Sequence, residues 1–135
     1  MTPFLCRLEV ASSSSLEFID ITPRILQAIR EWDLREGIVV ATTPHTTAGV
    51  TINENADPDV RRDLAAFFQQ SVPAEPYFRH GEGNSPAHIL SSLVGASETL
   101  IVHEGRLVLG TWQAVYFCEF DGPRRRTVHL KGLAG

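Results

Sequence analysis

Three times in this chain a residue that favours helix starts is followed by proline and then by apolar residues at helical spacing: Thr22-Pro23, Asp57-Pro58 and Ser85-Pro86. Proline presets a helical φ and lacks the N–H that a first helical turn leaves unpaired, while Thr, Asp or Ser before it can cap a free N–H. The three signals place three helices. The first runs from Thr22-Pro23 through Ile25, Leu26, Ile29 and Trp32 up to Gly37. The second takes Asp57 as its cap, presents Val60, Leu64, Phe67 and Phe68, and ends near Gln70. The third starts at Ser85-Pro86, carries Ile89, Leu90, Leu93 and Val94, and stops at Gly95.

Strand patterns fill the intervals. Residues 4–10 and 16–21 alternate loosely on either side of Ser12-Ser13-Ser14-Ser15, the pattern of a strand, a turn and a strand. Residues 38–42 are a run without polar alternation, which predicts a central strand covered on both faces. Residues 49–53 read as a further strand ending at the Asn53-Glu54-Asn55 cluster, with His45 at the mouth of the strand pair. The last third predicts strands over 99–103, 106–109, 112–120 and 125–130, joined by turns at Glu104-Gly105 and Asp121-Gly122-Pro123, as an antiparallel meander. With 135 residues, 43% of them hydrophobic, there is material for one core and not two. The expectation is an α+β fold: a single compact domain, mainly antiparallel sheet or sandwich, partly covered by about three helices.

Charge narrows the partners. Sixteen acidic residues against twelve basic give a net charge of −4, so neither nucleic acid nor a membrane surface is an expected partner, with Arg124-Arg125-Arg126 as the one local exception. The N-terminus lacks the basic flank and apolar stretch of a secretory leader, which makes a cytoplasmic location the default expectation. Cys6 and Cys118 have no paired spacing and read as reduced residues packed on strands.

The chemistry-bearing residues concentrate in two stretches, His45-Thr46-Thr47 leading to Asn53-Glu54-Asn55-Ala56-Asp57-Pro58, and His80-Gly81-Glu82-Gly83-Asn84 followed by His88. Neutral imidazoles bind zinc and related metals, and three of them with an open position form a catalytic arrangement, so His45, His80 and His88 are candidate ligands of a divalent metal. Their spacing matches no metal signature, and a surface or core role is equally compatible with it. His88 falls in a first helical turn, where the positive end of the helix dipole favours the neutral ring. Glu54 and Glu82 are candidate general bases or metal-shell carboxylates through their nearness to these histidines, although exposed carboxylates in turns are ordinary. The Gly81–Asn84 loop and the helix start after it can bring backbone amides to an anion, but with no lysine following it is not a nucleotide-hydrolysing loop. Arg124 and Arg126, two apart on a strand, are expected to share a face and either clamp a phosphate or form a charged edge that resists strand pairing. His103 and His129 read as structural, and Trp112 as a packing residue.

Three segments in order, residues 45–58, 80–95 and 105–113, closely resemble the YjbQ-like family, also called secondary thiamine-phosphate synthases. The likeness runs from about Pro44 to the C-terminus and more weakly to the N-terminus. The resemblance implies a compact α+β fold with a β-sandwich, a homotrimer, and a metal or anion site near the histidines. Within it, His45, His80 and His88 match the family's histidines, and Asn53, Glu54, Asn55 and Asp57 its acidic-amide motif. Glu82, Gly83 and Asn84 match its loop, and Thr111, Trp112 and Gln113 its late signature. The loop between the second and third histidines is short here, which removes any carboxylate a longer acidic loop would contribute. The activity implied joins a pyrimidine diphosphate to a thiazole phosphate and releases pyrophosphate. In that picture His45, His80 and His88 hold the metal, and Asn53, Asn84, Arg124 and Arg126 contact the phosphorylated substrate. Glu54, Glu82 and His88 serve the chemistry. Three histidines suit zinc, whereas diphosphates usually arrive with magnesium on oxygen ligands, so the metal's identity stays open. A metal-dependent hydrolase of a small phosphorylated or acyl compound, and a non-catalytic trimeric module for a small anion, are the alternatives.

Overall fold

Eight strands sort into two antiparallel sheets because their side chains alternate between two cores. The computed structural model describes residues 3–135; Met1 and Thr2, part of the stretch read above for a leader, lie outside the described residues. The elements are β1 (Leu5–Ala11), β2 (Glu17–Asp20), α1 (Thr22–Glu31), β3 (Gly37–Thr42), β4 (Ala48–Glu54), α2 (Pro58–Ser71), α3 (Ser85–Val94), β5 (Ser97–His103), β6 (Arg106–Leu107), β7 (Gln113–Glu119) and β8 (Arg125–Ala134). One sheet has the order β1-β8-β3-β5-β6, the other β2-β7-β4.

The inner face of the five-stranded sheet contributes Leu8, Val10, Val39, Ala41, Leu100, Val102, Val128 and Leu130 to the main core. Val50, Val115 and Phe117 of the three-stranded sheet meet them, and α1 adds Ile25, Ala28 and Ile29. The other face of the small sheet carries Phe18, Ala114, Tyr116 and Cys118 against Ala87 and Leu90 of α3 and Leu64 and Phe68 of α2. Removing a side chain the size of Phe117 from water contributes about 1.5–3 kcal/mol, so both faces of β7 hold the sandwich together. Among the described residues no helix is long and apolar enough to cross a membrane.

The three helices appear where the proline signals place them, with differences at the caps. Asp57 caps α2 through its side chain, which accepts from the Asp59 N–H at 2.9 Å. Thr22 and Ser85 are instead the first residues of their helices, behind Ile21 and Asn84. Thr22 is diverted because its hydroxyl accepts from the Val115 N–H of β7 at 2.8 Å, while its own N–H goes to Asp20 Oδ1 at 2.9 Å. Helix α1 is also shorter than expected, ending at Glu31, because Trp32 and Asp33 turn the chain, Asp33 with φ 52°.

Two strand expectations are corrected. The strand-rich last third is not a meander: β5 and β6 form a hairpin, β7 crosses to the centre of the small sheet, and β8 returns between β1 and β3. Likewise β1 and β2 belong to different sheets, and the serine run carries the chain from one to the other. In both cases alternation marks strands without naming partners. Strand β3 is central as expected, but only its Val39 and Ala41 face is fully buried. Its Ile38 and Val40 face is half-buried, on a sheet surface where Leu5, Ile101 and Leu133 are 50% or more exposed, since among the described residues no helix covers it.

Candidate functional site

The open end of the sandwich gathers most of the sequence-selected residues, and each is placed by a different element. After β3 the chain continues beside β8 through side chains. Thr43 Oγ1 donates to Thr127 O at 2.9 Å, and His45 Nε2 accepts from the Thr127 N–H at 2.9 Å. A backbone N–H can only donate, so Nε2 is the unprotonated nitrogen and Nδ1 carries the hydrogen. Burial, and after it the Arg126 charge, holds the His45 pKa below its ordinary 6.5. His45 is thus a neutral ring whose remaining polar group is a donor.

His88 is the fourth residue of α3, and that helix is set by close contact with β4. Gly49 comes so near that an added Cβ would lie 2.8 Å from Gly95 O, while the Val50 N–H donates to the same oxygen at 3.1 Å. Gly95 itself ends α3 with φ 94°, a value that suits glycine. The loop of residues 72–84 then supplies His80, whose ring stands edge-on to His88 with centroids 5.2 Å apart, and Glu82. Asn84 fastens this loop: its Nδ2 donates to Asp121 Oδ2 at 2.8 Å, and its buried Oδ1 has no partner.

The arginines come from the β7–β8 connection. Inward alternation in β7 buries Val115 and Phe117 and then Glu119; in β8 it buries Val128, Leu130 and, at the near end, Arg126. The two charges therefore meet between the sheets. Arg126 Nε donates to Glu119 Oε1 at 2.9 Å and Nη2 to Oε2 at 2.5 Å, while Nη2 also reaches Thr47 Oγ1 at 2.9 Å. Ser12 Oγ donates to Glu119 Oε1 at 2.6 Å and the Asp121 N–H to Oε2 at 3.0 Å. Burial alone raises the Glu119 carboxyl, but the hydrogen bonds from Arg126, Ser12 and Asp121 outweigh it and hold its pKa below the usual range. Arg124 precedes the strand and is half-exposed; its Nε donates to Asp121 O at 2.8 Å and its Nη2 to Asp121 Oδ2 at 3.0 Å.

Together these residues line an open cavity of about 360 Å³, formed by His45, Thr46, Thr47, His80, Glu82, Asn84, His88, Asp121, Arg124 and Arg126, with Pro44. Arg124 and Arg126 keep the common address that sequence assigns them, but each is tied to a carboxylate instead of standing free. Glu119 carries no site signal in the sequence, and Asp121 reads there only as part of a turn. What could mark Glu119 is a carboxylate at an inward position of an otherwise apolar strand.

Asn53 and Glu54 are not in the cavity. They close the far end of β4: Ala48 pairs with Glu119 and Glu54 with Gln113, six residues along β7 and so about 20 Å away. There the acidic-amide motif is a structural latch. Asn53 Oδ1 accepts the Glu54 N–H at 2.7 Å, Glu54 O accepts from the Tyr116 hydroxyl at 3.0 Å, and Asn55 bridges Asp20 Oδ2, Arg61 Nη2 and Tyr116 Oη. Trp112 sits at that end too and is 61% exposed, so it does not pack in the core of its own chain.

A three-histidine metal centre does not fit this geometry. The lone pair of His45 Nε2 is engaged by Thr127, and among the described residues no group of three or more His, Cys, Asp or Glu is arranged to hold a metal ion.

The family model described as UPF0047 protein YjbQ-like matches residues 6–135. The chain belongs to the YjbQ-like UPF0047 family. Among its relatives, UPF0047 protein MJ1081 of Methanocaldococcus jannaschii is 50% identical over 127 residues, covering 94% of this chain and 92% of that protein. UPF0047 protein YugU of Bacillus subtilis is 50% identical over 125 residues, covering 92% and 95%. The crystal structure of an uncharacterized YjbQ/UPF0047 protein from Clostridium acetobutylicum superposes with a TM-score of 0.91 at 47% identity, covering 95% of this chain and 99% of that one. A hypothetical protein from Aeropyrum pernix superposes equally well, TM-score 0.91, at 33% identity with 97% and 98% covered. The two-sheet architecture is thus that of YjbQ-like proteins.

Proposed function

We propose that the cavity of this YjbQ-like protein binds a phosphorylated small molecule and supports joining of a pyrimidine diphosphate to a thiazole phosphate. The observation that carries the reading is the convergence of Arg124, Arg126, His45, His80 and His88 on one cavity. Its formal charge is not positive: Asp121 and Glu119 balance the two arginines and Glu82 adds a negative charge. Anion recognition therefore rests on oriented N–H donors, which act strongly where water is limited and need no reorganisation during reaction.

In the joining step the thiazole nitrogen forms a bond to the pyrimidine methylene carbon as the carbon–oxygen bond to diphosphate breaks, and pyrophosphate leaves with the electron pair. The arginines and the His45 Nδ1–H stabilise the leaving charge, and His80 or His88 donates a hydrogen bond to it. Glu82, which lines the cavity, is the carboxylate assigned to orient the partner ring; Glu54 lies at the far end of β4. Because the three histidines do not fit a metal centre, no step depends on one, and the hydrolase alternative loses its open three-histidine site. A homotrimer is the assembly that goes with this reading, supported by the uncovered Leu5, Ile101 and Leu133 face.

The test is formation of thiamine phosphate from its two phosphorylated halves by wild-type protein beside His88→Ala prepared identically. Turnover in wild type that disappears in the variant supports the reading. Equal product in both points to a contaminating synthase, and no product in either leaves the binding module.

A further inference from the structure

We infer that Glu119 is a positioning residue: it fixes the Arg126 guanidinium so that only its Nη1 edge faces the cavity, and Ser12 fixes Glu119 in turn. The inference rests on the proposed anion-binding role of the cavity.

Arg126 is 5% exposed and Glu119 is fully buried, so the pair is packed on nearly every side. The carboxylate receives four donors, from Arg126 Nε and Nη2, Ser12 Oγ and the Asp121 N–H. Nη2 is further occupied by Thr47 O and Oγ1. What remains is Nη1, which has no hydrogen-bond partner among the described residues and is not among the buried polar atoms left unpaired, so it is open to the cavity that Arg126 lines. Arg124, nearer the surface, is held differently: its Nε donates to the Asp121 backbone carbonyl and its Nη2 to the Asp121 carboxylate, and its Nη1 has no hydrogen-bond partner among the described residues. Both arginines thus line one space with Nη1 unpaired, Arg126 held by a buried carboxylate and Arg124 by the backbone and side chain of Asp121. The ligand class this selects is a phosphate monoester or diphosphate whose separate oxygens take one Nη1 each, instead of one oxygen pair gripped by a full guanidinium fork.

A positioning carboxylate and a mere counter-charge predict opposite results. Glu119→Gln preserves shape but sets an amide N–H against one Arg126 N–H, so the guanidinium is held on one side only, while the cavity gains a positive charge. If Glu119 acts by position, calorimetric affinity for inorganic phosphate falls about tenfold, the scale of a lost hydrogen bond to a charged group. If it is only a counter-charge, affinity rises, and the inference is overturned. Arg126→Lys keeps the charge and loses the fork, and in that background Glu119→Gln is expected to cost nothing further; an additive loss places Glu119 outside the Arg126 contact. Ser12→Ala, which leaves the ion pair intact, is expected to weaken phosphate binding about threefold, a fraction of the same hydrogen-bond scale; should Glu119→Gln not fold, unchanged or tighter binding by Ser12→Ala overturns the inference. Absence of phosphate binding by the wild-type protein would instead remove the anion-site reading on which the inference stands.

Discussion

Replacing Arg126 with methionine should destabilise the fold severely, and in a way that pH can report. Methionine fills much of the volume, so the change removes the charge, two bonds to Glu119 at 2.9 and 2.5 Å, and the bonds from Nη2 to Thr47. Glu119, 0% exposed, keeps Ser12 Oγ and the Asp121 N–H as its donors among the described residues, which leaves a buried carboxylate without a counter-charge. Breaking a buried pair from one side costs about 3–5 kcal/mol. A domain of this size has about 5–15 kcal/mol in total, so the variant should be marginal. The melting temperature should fall by roughly 10–15 °C. In the wild type the Glu119 pKa is lowered, so its contribution is present above the unfolded carboxyl value and is lost as pH falls. Without Arg126, burial is the largest remaining influence and raises the folded pKa, so the penalty is absent at low pH and grows as pH rises through the unfolded value. The stability gap to wild type, measured by urea denaturation at pH 8 and again near pH 4.5, should therefore narrow at the acidic end. A gap below about 1 kcal/mol at both pH values, the size expected of an exposed pair, would refute the claim that this pair is a buried, desolvated unit. Arg126→Met combined with Glu119→Leu should recover most of the loss, because neither charge then remains buried.

Asn55→Ala removes acceptor and donor from the Asp20–Arg61–Tyr116 latch and should cost about 1–3 kcal/mol in denaturation while phosphate binding is unchanged; a matching loss of phosphate affinity would bring the acidic-amide motif back into the site. His45 has a depressed folded pKa, so the unfolded chain takes up its proton first and stability should rise with pH through the window just below 6.5. His45→Gln should lose that segment of the pH profile, and an unchanged slope would mean that His45 is not buried against Arg126. Gly49→Ala, whose Cβ would meet Gly95 O at 2.8 Å, should push α3 away and weaken phosphate binding along with stability; a neutral result would mean that β4 does not set the position of His88.

Local signals carried the helices and most strands because they depend on neighbours in sequence: proline after a capping residue, apolar stripes, glycine ends. Strand partners did not follow, since alternation in residues 112–120 and 125–130 is the same whether the two pair with each other or, as here, enter different sheets. The histidines, Glu82, Asn84 and the two arginines converge in one cavity, and these are polar residues at element ends, where sequence reasoning looks first. Asn53 and Glu54 stand apart from the cavity despite their closeness in sequence to His45, because a strand carries the chain about 20 Å in six residues. Glu119 hides inside a mostly apolar strand, although a carboxylate at an inward position is the type of residue that must find a partner. The tautomer of His45, which decides against a three-histidine metal centre, depends on Thr127, 82 residues away, and no local pattern encodes it.

The most direct test is a crystal structure of the protein soaked with thiamine phosphate. The account predicts density for the phosphoryl group in the open end of the sandwich, with oxygens within hydrogen-bond distance of Arg124 Nη1 and Arg126 Nη1 and beside His88. Density at the Asn53–Glu54 end of β4, or an empty cavity at a ligand concentration that saturates binding in solution, would contradict it.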